Sequence, residues 1–234
     1  MITTAFFDAG QTLLGPQPSW SGLATQMLQQ RGHDVTVEGM QMAWRSTAHL
    51  FETAADEGRT FSTSHDESHR FWTNLYTELL DHLGVRDPEA PEALYHTFSD
   101  PSNYGLYDDA IPTLEELRER GLRLGIISNF ESWLRVMLQH LGVIEFFDVL
   151  AISGDLGWEK PDPRIFKWAM DEAGAEPQQC LHVGDSPNFD PLPAAELGMC
   201  GVLIDRSGQF NDLEGDFARV SSLRELASIV DASR

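Results

Sequence analysis

Apolar residues fall along this chain in short unbroken runs, separated by longer stretches of helical periodicity. The runs are residues 2–7, 122–128, 149–153, 180–183 and 199–204. Apolar runs this short, bounded by polar residues, read as strands buried on both faces. Between them, residues 111–120, 131–141, 164–173 and 189–197 carry the spacing of helices that bury one side. Strands alternating with helices predict an α/β fold, a Rossmann-like parallel sheet core with helices on both faces.

One long stretch breaks the alternation. In residues 15–103 no strand-like pattern appears. Leu23, Met27 and Leu28, then Met40, Ala43, Trp44, Thr47, Leu50 and Phe51, then Phe71, Leu75, Leu79 and Leu83 recur at helical spacing. Gly32, Gly58 and Gly84 punctuate the pattern. The predicted organisation is a core of residues 1–14 and 104–234, interrupted after its first strand by an all-helical insert, 15–103. Within the insert Trp44, Phe51, Phe71 and Trp72 read as core packing rather than as a substrate box.

Each strand of the core ends on something polar: Asp8, then Ser128 and Asn129, then Lys160 in the loop after the third run, then Asp185. Ligands of open parallel sheets bind beyond the carboxyl ends of the strands, so four such ends point to one site. Composition narrows the ligand. The formal net charge of −21 speaks against a nucleic-acid partner, which needs clustered Lys and Arg. Lys160 is one of two lysines in the chain, the other being Lys167, so an ammonium among carboxylates stands out. Cys180 and Cys200 read as buried fillers, not as a disulfide or zinc framework. No apolar run reaches the length of a membrane helix. The N-terminal residues lack a basic start and carry Asp8 in their middle, so no signal peptide is expected and the expected location is cytoplasmic. Nothing in the sequence sets the oligomeric state.

Residues 6–14 read Phe-Phe-Asp-Ala-Gly-Gln-Thr-Leu-Leu. Residues 126–129 read Ile-Ile-Ser-Asn, residues 157–166 read Gly-Trp-Glu-Lys-Pro-Asp-Pro-Arg-Ile-Phe, and residues 182–186 read His-Val-Gly-Asp-Ser, with Asp190 following. In this order the four segments resemble the four motifs of the haloacid dehalogenase superfamily, and they span the chain outside the insert. The insert resembles the cap of that superfamily's first cap class. The resemblance implies a hydrolase with Asp8 as nucleophile, most often acting on a small phosphorylated substrate with magnesium. Charge physics agrees: a carboxylate attacks a phosphoryl group only if a divalent cation and positioned donors offset the repulsion. The implied magnesium ligands are Asp8, Asp185 and the Gly10 carbonyl, completed by waters. Asp190 orients this set from behind. Ser128 and the Asn129 backbone N–H, expected at a helix N-terminus, hold phosphate oxygens together with Lys160. His182 reads as a packed histidine rather than a metal ligand.

The chain departs from the pattern at Gly10, where phosphatases of the superfamily carry a second Asp that protonates the leaving oxygen and then activates water. General acid–base help of that kind is worth roughly 10²–10⁴-fold in rate. Weakened turnover is therefore expected, with Gln11 a partial substitute that holds a water. Two alternatives stay open. One is a silenced member that binds a phosphometabolite or a partner. The other is a 2-haloacid dehalogenase, disfavoured because those enzymes do not keep the Gly184-Asp185-Ser186 metal pair.

Overall fold

The computed structural model describes residues 1–47 and 49–233; Ala48 and Arg234 lie outside the described residues. Its contacts divide the chain into two compact units, Met1–Leu14 with Leu106–Arg234, and Gly15–Gly105.

The strands are β1 (Thr4–Phe7), β2 (Leu14–Pro16), β3 (Tyr104–Leu106), β4 (Arg123–Ser128), β5 (Val149–Ile152), β6 (Cys180–Gly184), β7 (Cys200–Ile204) and β8 (Ala218–Val220). Among the described residues six of them form one sheet in the order β5-β4-β1-β6-β7-β8. All its pairings are parallel. The five predicted strands are all present in it. β8 was not legible, because its three residues follow a polar loop and carry no apolar run. β2 and β3 pair separately, where the chain passes between the units.

Every residue of β1 is buried, so both faces of the sheet are covered at its centre. On one face Phe6, Ile127, Val149 and Ala151 pack with Ile165, Phe166, Ala169 and Met170 of the helix Pro163–Ala173. That helix is bounded locally: the Asp162 side chain accepts from the Arg164 N–H, Pro163 opens the first turn, and Gly174 closes it at φ 61°. Burying a side chain such as Phe6 contributes roughly 1.5–3 kcal/mol. The space it takes fixes a neighbour, since a Cβ at Gly125 would come within 2.7 Å of the Phe6 ring.

The strand order positions the site. From β1 the chain adds β4 and β5 on one side, then crosses back to add β6, β7 and β8 on the other. The carboxyl ends of β4, β1 and β6 therefore lie side by side at the point where the winding reverses. A crevice opens there in such sheets.

The second unit contains the helices Trp20–Gln30, Val37–Thr47, His49–Asp56, His65–His82 and Ala90–Phe98. Ser19 and Ser64 cap two of them, accepting from the N–H groups of Gly22 and Glu67. Its core is Leu28, Met40, Leu75, Leu79 and Leu94 with their neighbours, and Trp44, Phe51, Phe71 and Trp72 pack against that core. Phe51 and Phe71 meet at 5.0 Å between ring centroids, and Trp44 and Trp72 stack at 6.5 Å. No helix among the described residues is long and apolar enough to cross a membrane.

Candidate active site

Asp8 follows β1 directly, and its N–H donates to the Val183 carbonyl at 2.8 Å, tying it to the end of β6. Its side chain is almost fully buried. One carboxylate oxygen, Oδ1, accepts from Ser128 Oγ at 3.0 Å and from Lys160 Nζ at 2.8 Å. Neither donor reaches the other oxygen, Oδ2. Lys160 is buried too, and its ammonium also donates to Asp190 Oδ1 at 2.5 Å.

Two features bring Lys160 into the sheet's mouth. Asn129, one residue past β4, clasps its backbone: Asn129 Nδ2 donates to the Lys160 carbonyl at 2.8 Å, and the Lys160 N–H donates to Asn129 Oδ1 at 2.6 Å. Asp190 anchors the far end. It precedes the helix Pro191–Glu196, yet its side chain makes no cap bond there. Instead the carboxylate accepts from Lys160, from the Ser186 N–H at 3.1 Å and from His182 Nε2 at 2.9 Å. It lies so close over Gly184 that a Cβ there would collide with it. Asp190 thus anchors Lys160 rather than capping the helix that follows it.

His182 is fully buried, with Phe166 edge-on to its ring at 5.3 Å. Burial holds its pKa below the ordinary value although Asp190 pulls it up. The ring is thus neutral near pH 7 and carries its proton on Nε2, the nitrogen facing the carboxylate. It is a packed, hydrogen-bonded histidine.

The charges do not balance. Burial opposes the Lys160 charge, but Asp190 and Asp8 overcome it and raise the ammonium to about 12. Burial likewise opposes the Asp190 charge, and Lys160 with His182 overcomes it and lowers that carboxyl to about 2. Asp8 shifts the other way. Burial raises its pKa, and the charge of Asp190 adds to this, so its share of Lys160 is insufficient. Asp185, next after β6, is raised well above the ordinary range by burial and by the charges of Asp8 and Asp190. Three carboxylates thus face one ammonium, and two of them are short of positive charge. Oδ2 of Asp8 and the Asp185 carboxylate accept from no side chain among the described residues. Oxygen donors with uncompensated charge are what a hard divalent cation takes. No group of three or more His, Cys, Asp or Glu side chains placed to hold a metal ion occurs among the described residues.

Gly10 contributes backbone alone. The bridge between Gly10 and Leu14 runs through the carbonyl of Ala9 and the N–H of Gln11, so the Gly10 carbonyl takes no part in it. A Cβ at Gly10 would meet nothing within 4 Å, and its φ lies outside the left-handed region. Gln11 is held through its side-chain carbonyl by the Tyr107 hydroxyl at 2.9 Å.

One expectation needs correction. Asn129 does not open a helix: the helix predicted from residue 131 begins only at Leu134 and ends at His140. The Phe130 N–H donates to Ser153 Oγ and its carbonyl accepts from the Gly154 N–H, both at 2.9 Å, which ties the loop to the end of β5. The Asn129 N–H therefore sits in a loop without a helix terminus behind it. The sequence reading also missed the Asn129 clasp, Tyr107 and Arg206. Arg206 follows β7 by two residues, so a polar group past a fifth strand end was the available signal.

Residues 2–198 match the model of the haloacid dehalogenase-like hydrolase family. The chain is 36% identical over 185 residues to human haloacid dehalogenase-like hydrolase domain-containing protein 3, covering 74% of this chain and 71% of that one. It is 34% identical over 158 residues to a phosphoserine phosphatase of Thermus thermophilus, covering 67% and 64%. Among solved structures, the magnesium-bound putative HAD-hydrolase YfnB of Bacillus subtilis superposes with a TM-score of 0.77 at 19% identity, covering 98% and 99%. At that identity the likeness is one of fold.

The role of Lys160 has a direct test. Lys160→Met leaves buried carboxylates without their ammonium, and breaking a buried pair from one side costs about 3–5 kcal/mol. A loss of that size in urea unfolding near neutral pH is the expected result. Asp190 is depressed to about 2, so its contribution is present above the ordinary carboxyl pKa and is lost as pH falls through about 2. The gap between wild type and variant should therefore narrow below pH ~4. An equal gap at both ends of that range would mean that packing, not charge, fixes Lys160.

Proposed function

Because the chain belongs to the haloacid dehalogenase-like hydrolases, we propose that it is a magnesium-dependent phosphatase acting on a small phosphorylated metabolite through Asp8. The observation that carries this is that Asp8 and Asp185 are both desolvated by burial and short of positive charge beside a lysine that Asp8 shares with Asp190. The phosphatase name of the Thermus relative and the magnesium named for the Bacillus neighbour support the same reading.

Asp8, Asp185 and the Gly10 carbonyl would hold the cation, with waters and a phosphoryl oxygen completing its shell. Bound there, magnesium supplies charge neutralisation between Asp8 and the phosphoryl oxygens. With one carboxylate oxygen of Asp8 toward the cation, the other would attack phosphorus in line. Lys160 and the Asn129 N–H would share the phosphoryl oxygens as negative charge builds on them, joined by Ser128 once its single hydroxyl proton turns from Asp8 to the substrate. The ester bond breaks, and water later releases phosphate from the Asp8 acyl phosphate. The helical unit, inserted just after the nucleophile, would serve as the cap. Gly10 leaves the leaving-group oxygen without its acid and the attacking water without its base, so phosphorylation by alkyl esters and the later hydrolysis both run slowly.

Two measurements test this. Burial and neighbouring charge raise the Asp185 pKa, so the metal-free protein loses stability as pH rises from the ordinary carboxyl value through the raised one. Magnesium offsets that loss, so thermal melts should show more stabilisation near neutral pH than near pH ~5, about 2.7 kcal/mol at a hundredfold excess over Kd. Melting temperatures indifferent to magnesium at both pH values would count against the metal site. The second concerns Gly10→Asp, which the open space and backbone permit. It should raise turnover of alkyl phosphates by roughly 10²-fold or more while aryl and acyl phosphates gain less. No gain on any ester would show that the missing carboxyl is not what limits the wild type.

A further inference from the structure

Gln11 is the one non-glycine residue among the described residues with its backbone in the left-handed region, at φ 56°. L residues avoid that region, and an outlier persists only where its surroundings hold it. The Gln11 N–H donates to the Leu14 carbonyl at 2.7 Å, and its Oε1 accepts from the Tyr107 hydroxyl. Tyr107 is braced in turn by Arg206, whose guanidinium lies 4.1 Å from the centre of its ring. Arg206 itself donates to both carboxylate oxygens of Asp109 at 2.9 Å and to the Thr12 carbonyl at 2.8 Å. Asp109 is held further by Ser222 Oγ and the Leu223 N–H.

This brace fixes one end of an amide and leaves the other free. Gln11 is exposed, and with its carbonyl on Tyr107 its N–H donors bond to no acceptor among the described residues. Burial raises the Tyr107 phenol, so its hydroxyl stays protonated and donates to Gln11. Beside Gln11, the position where an acid would stand is open space at Gly10.

We propose that Gln11 is a catalytic residue, its amide N–H aimed by Tyr107 at the oxygen of the departing group. The inference rests on the phosphatase reading above. As a carboxylate oxygen of Asp8 bonds to phosphorus, the bond from phosphorus to the leaving oxygen breaks and its electron pair stays on that oxygen. The oxygen departs as an anion under the hydrogen bond from Gln11 and takes its proton afterwards from water. An amide gives up no proton near neutral pH, so Gln11 stabilises developing charge without replacing an acid.

Gln11→Gly tests this, because glycine adopts the left-handed conformation freely and keeps the turn. Single-turnover phosphorylation of Asp8 is followed by rapid quench with phenyl phosphates of graded leaving-group pKa and magnesium, alongside thermal melts. The variant should melt no lower than wild type. Its phosphorylation should slow by roughly 10²-fold for the poorest leaving groups and little for nitrophenyl phosphate, which steepens the dependence. Hydrolysis of phospho-Asp8 should be unchanged, Tyr107→Phe should shift the slope in the same direction by less, and Gln11→Asn should recover part of the rate. A uniform loss, no loss, or slowing confined to the hydrolysis step would overturn the assignment. Absence of phospho-Asp8 in the wild type would instead overturn the phosphatase reading, and this inference with it.

Discussion

A single ammonium group, buried between carboxylates at the reversal point of a parallel sheet, sets the terms for everything around it. Lys160 donates to Asp190 at 2.5 Å and to Asp8 at 2.8 Å. Withdrawing ions from water costs several kcal/mol each, and only close opposite charge offsets it. The shifts show where the offset succeeds. Lys160 rises to about 12 and Asp190 falls to about 2, so that pair is settled, whereas Asp8 and Asp185 move up and are not. The protein has neutralised the carboxylate that anchors and left charged need at the carboxylates that face the crevice. A stable arrangement would have paired them all. The surplus of negative charge at the strand ends is what the proposed cation would offset.

The structural cost of this arrangement is visible in the backbone. Asn129 gives up both its amide groups to hold the Lys160 main chain, and Gly184 has no side chain because the Asp190 carboxylate occupies its place. His182 spends a fully buried ring on one hydrogen bond to Asp190. Such second-layer contacts hold a reactive group in one rotamer and so spare the reaction that ordering cost. They converge on Lys160, and through it on one oxygen of Asp8.

Much of this was legible in the sequence, for a physical reason. A strand buried on both faces must be apolar throughout, so the first polar residue after the run marks both the strand's end and the sheet's mouth. Asp8, Ser128 and Asp185 are readable that way, and Lys160 stands out by the rarity of lysine in this chain. What could not be read is how side chains meet once the strands are assembled. Nothing local distinguishes an Asn129 that clasps a distant lysine from one that starts a helix, and the helix indeed begins later, at Leu134. Gln11, Tyr107 and Arg206 lie far apart in the chain, and only the fold joins them. The open space at Gly10 was equally hidden, since a glycine in sequence does not reveal whether it is there for its backbone or for its missing side chain.

The central claim is that Asp8 is the group that reacts, and covalent trapping tests it most directly. The protein would be mixed with magnesium and an acyl phosphate, quenched in acid and mapped by peptide mass spectrometry, with Asp8→Asn treated in parallel. Phosphate on the peptide that contains Asp8, labile to base and absent from Asp8→Asn, is the result this account requires. Phosphate found on another residue, or phosphate release that continues in Asp8→Asn, would contradict it.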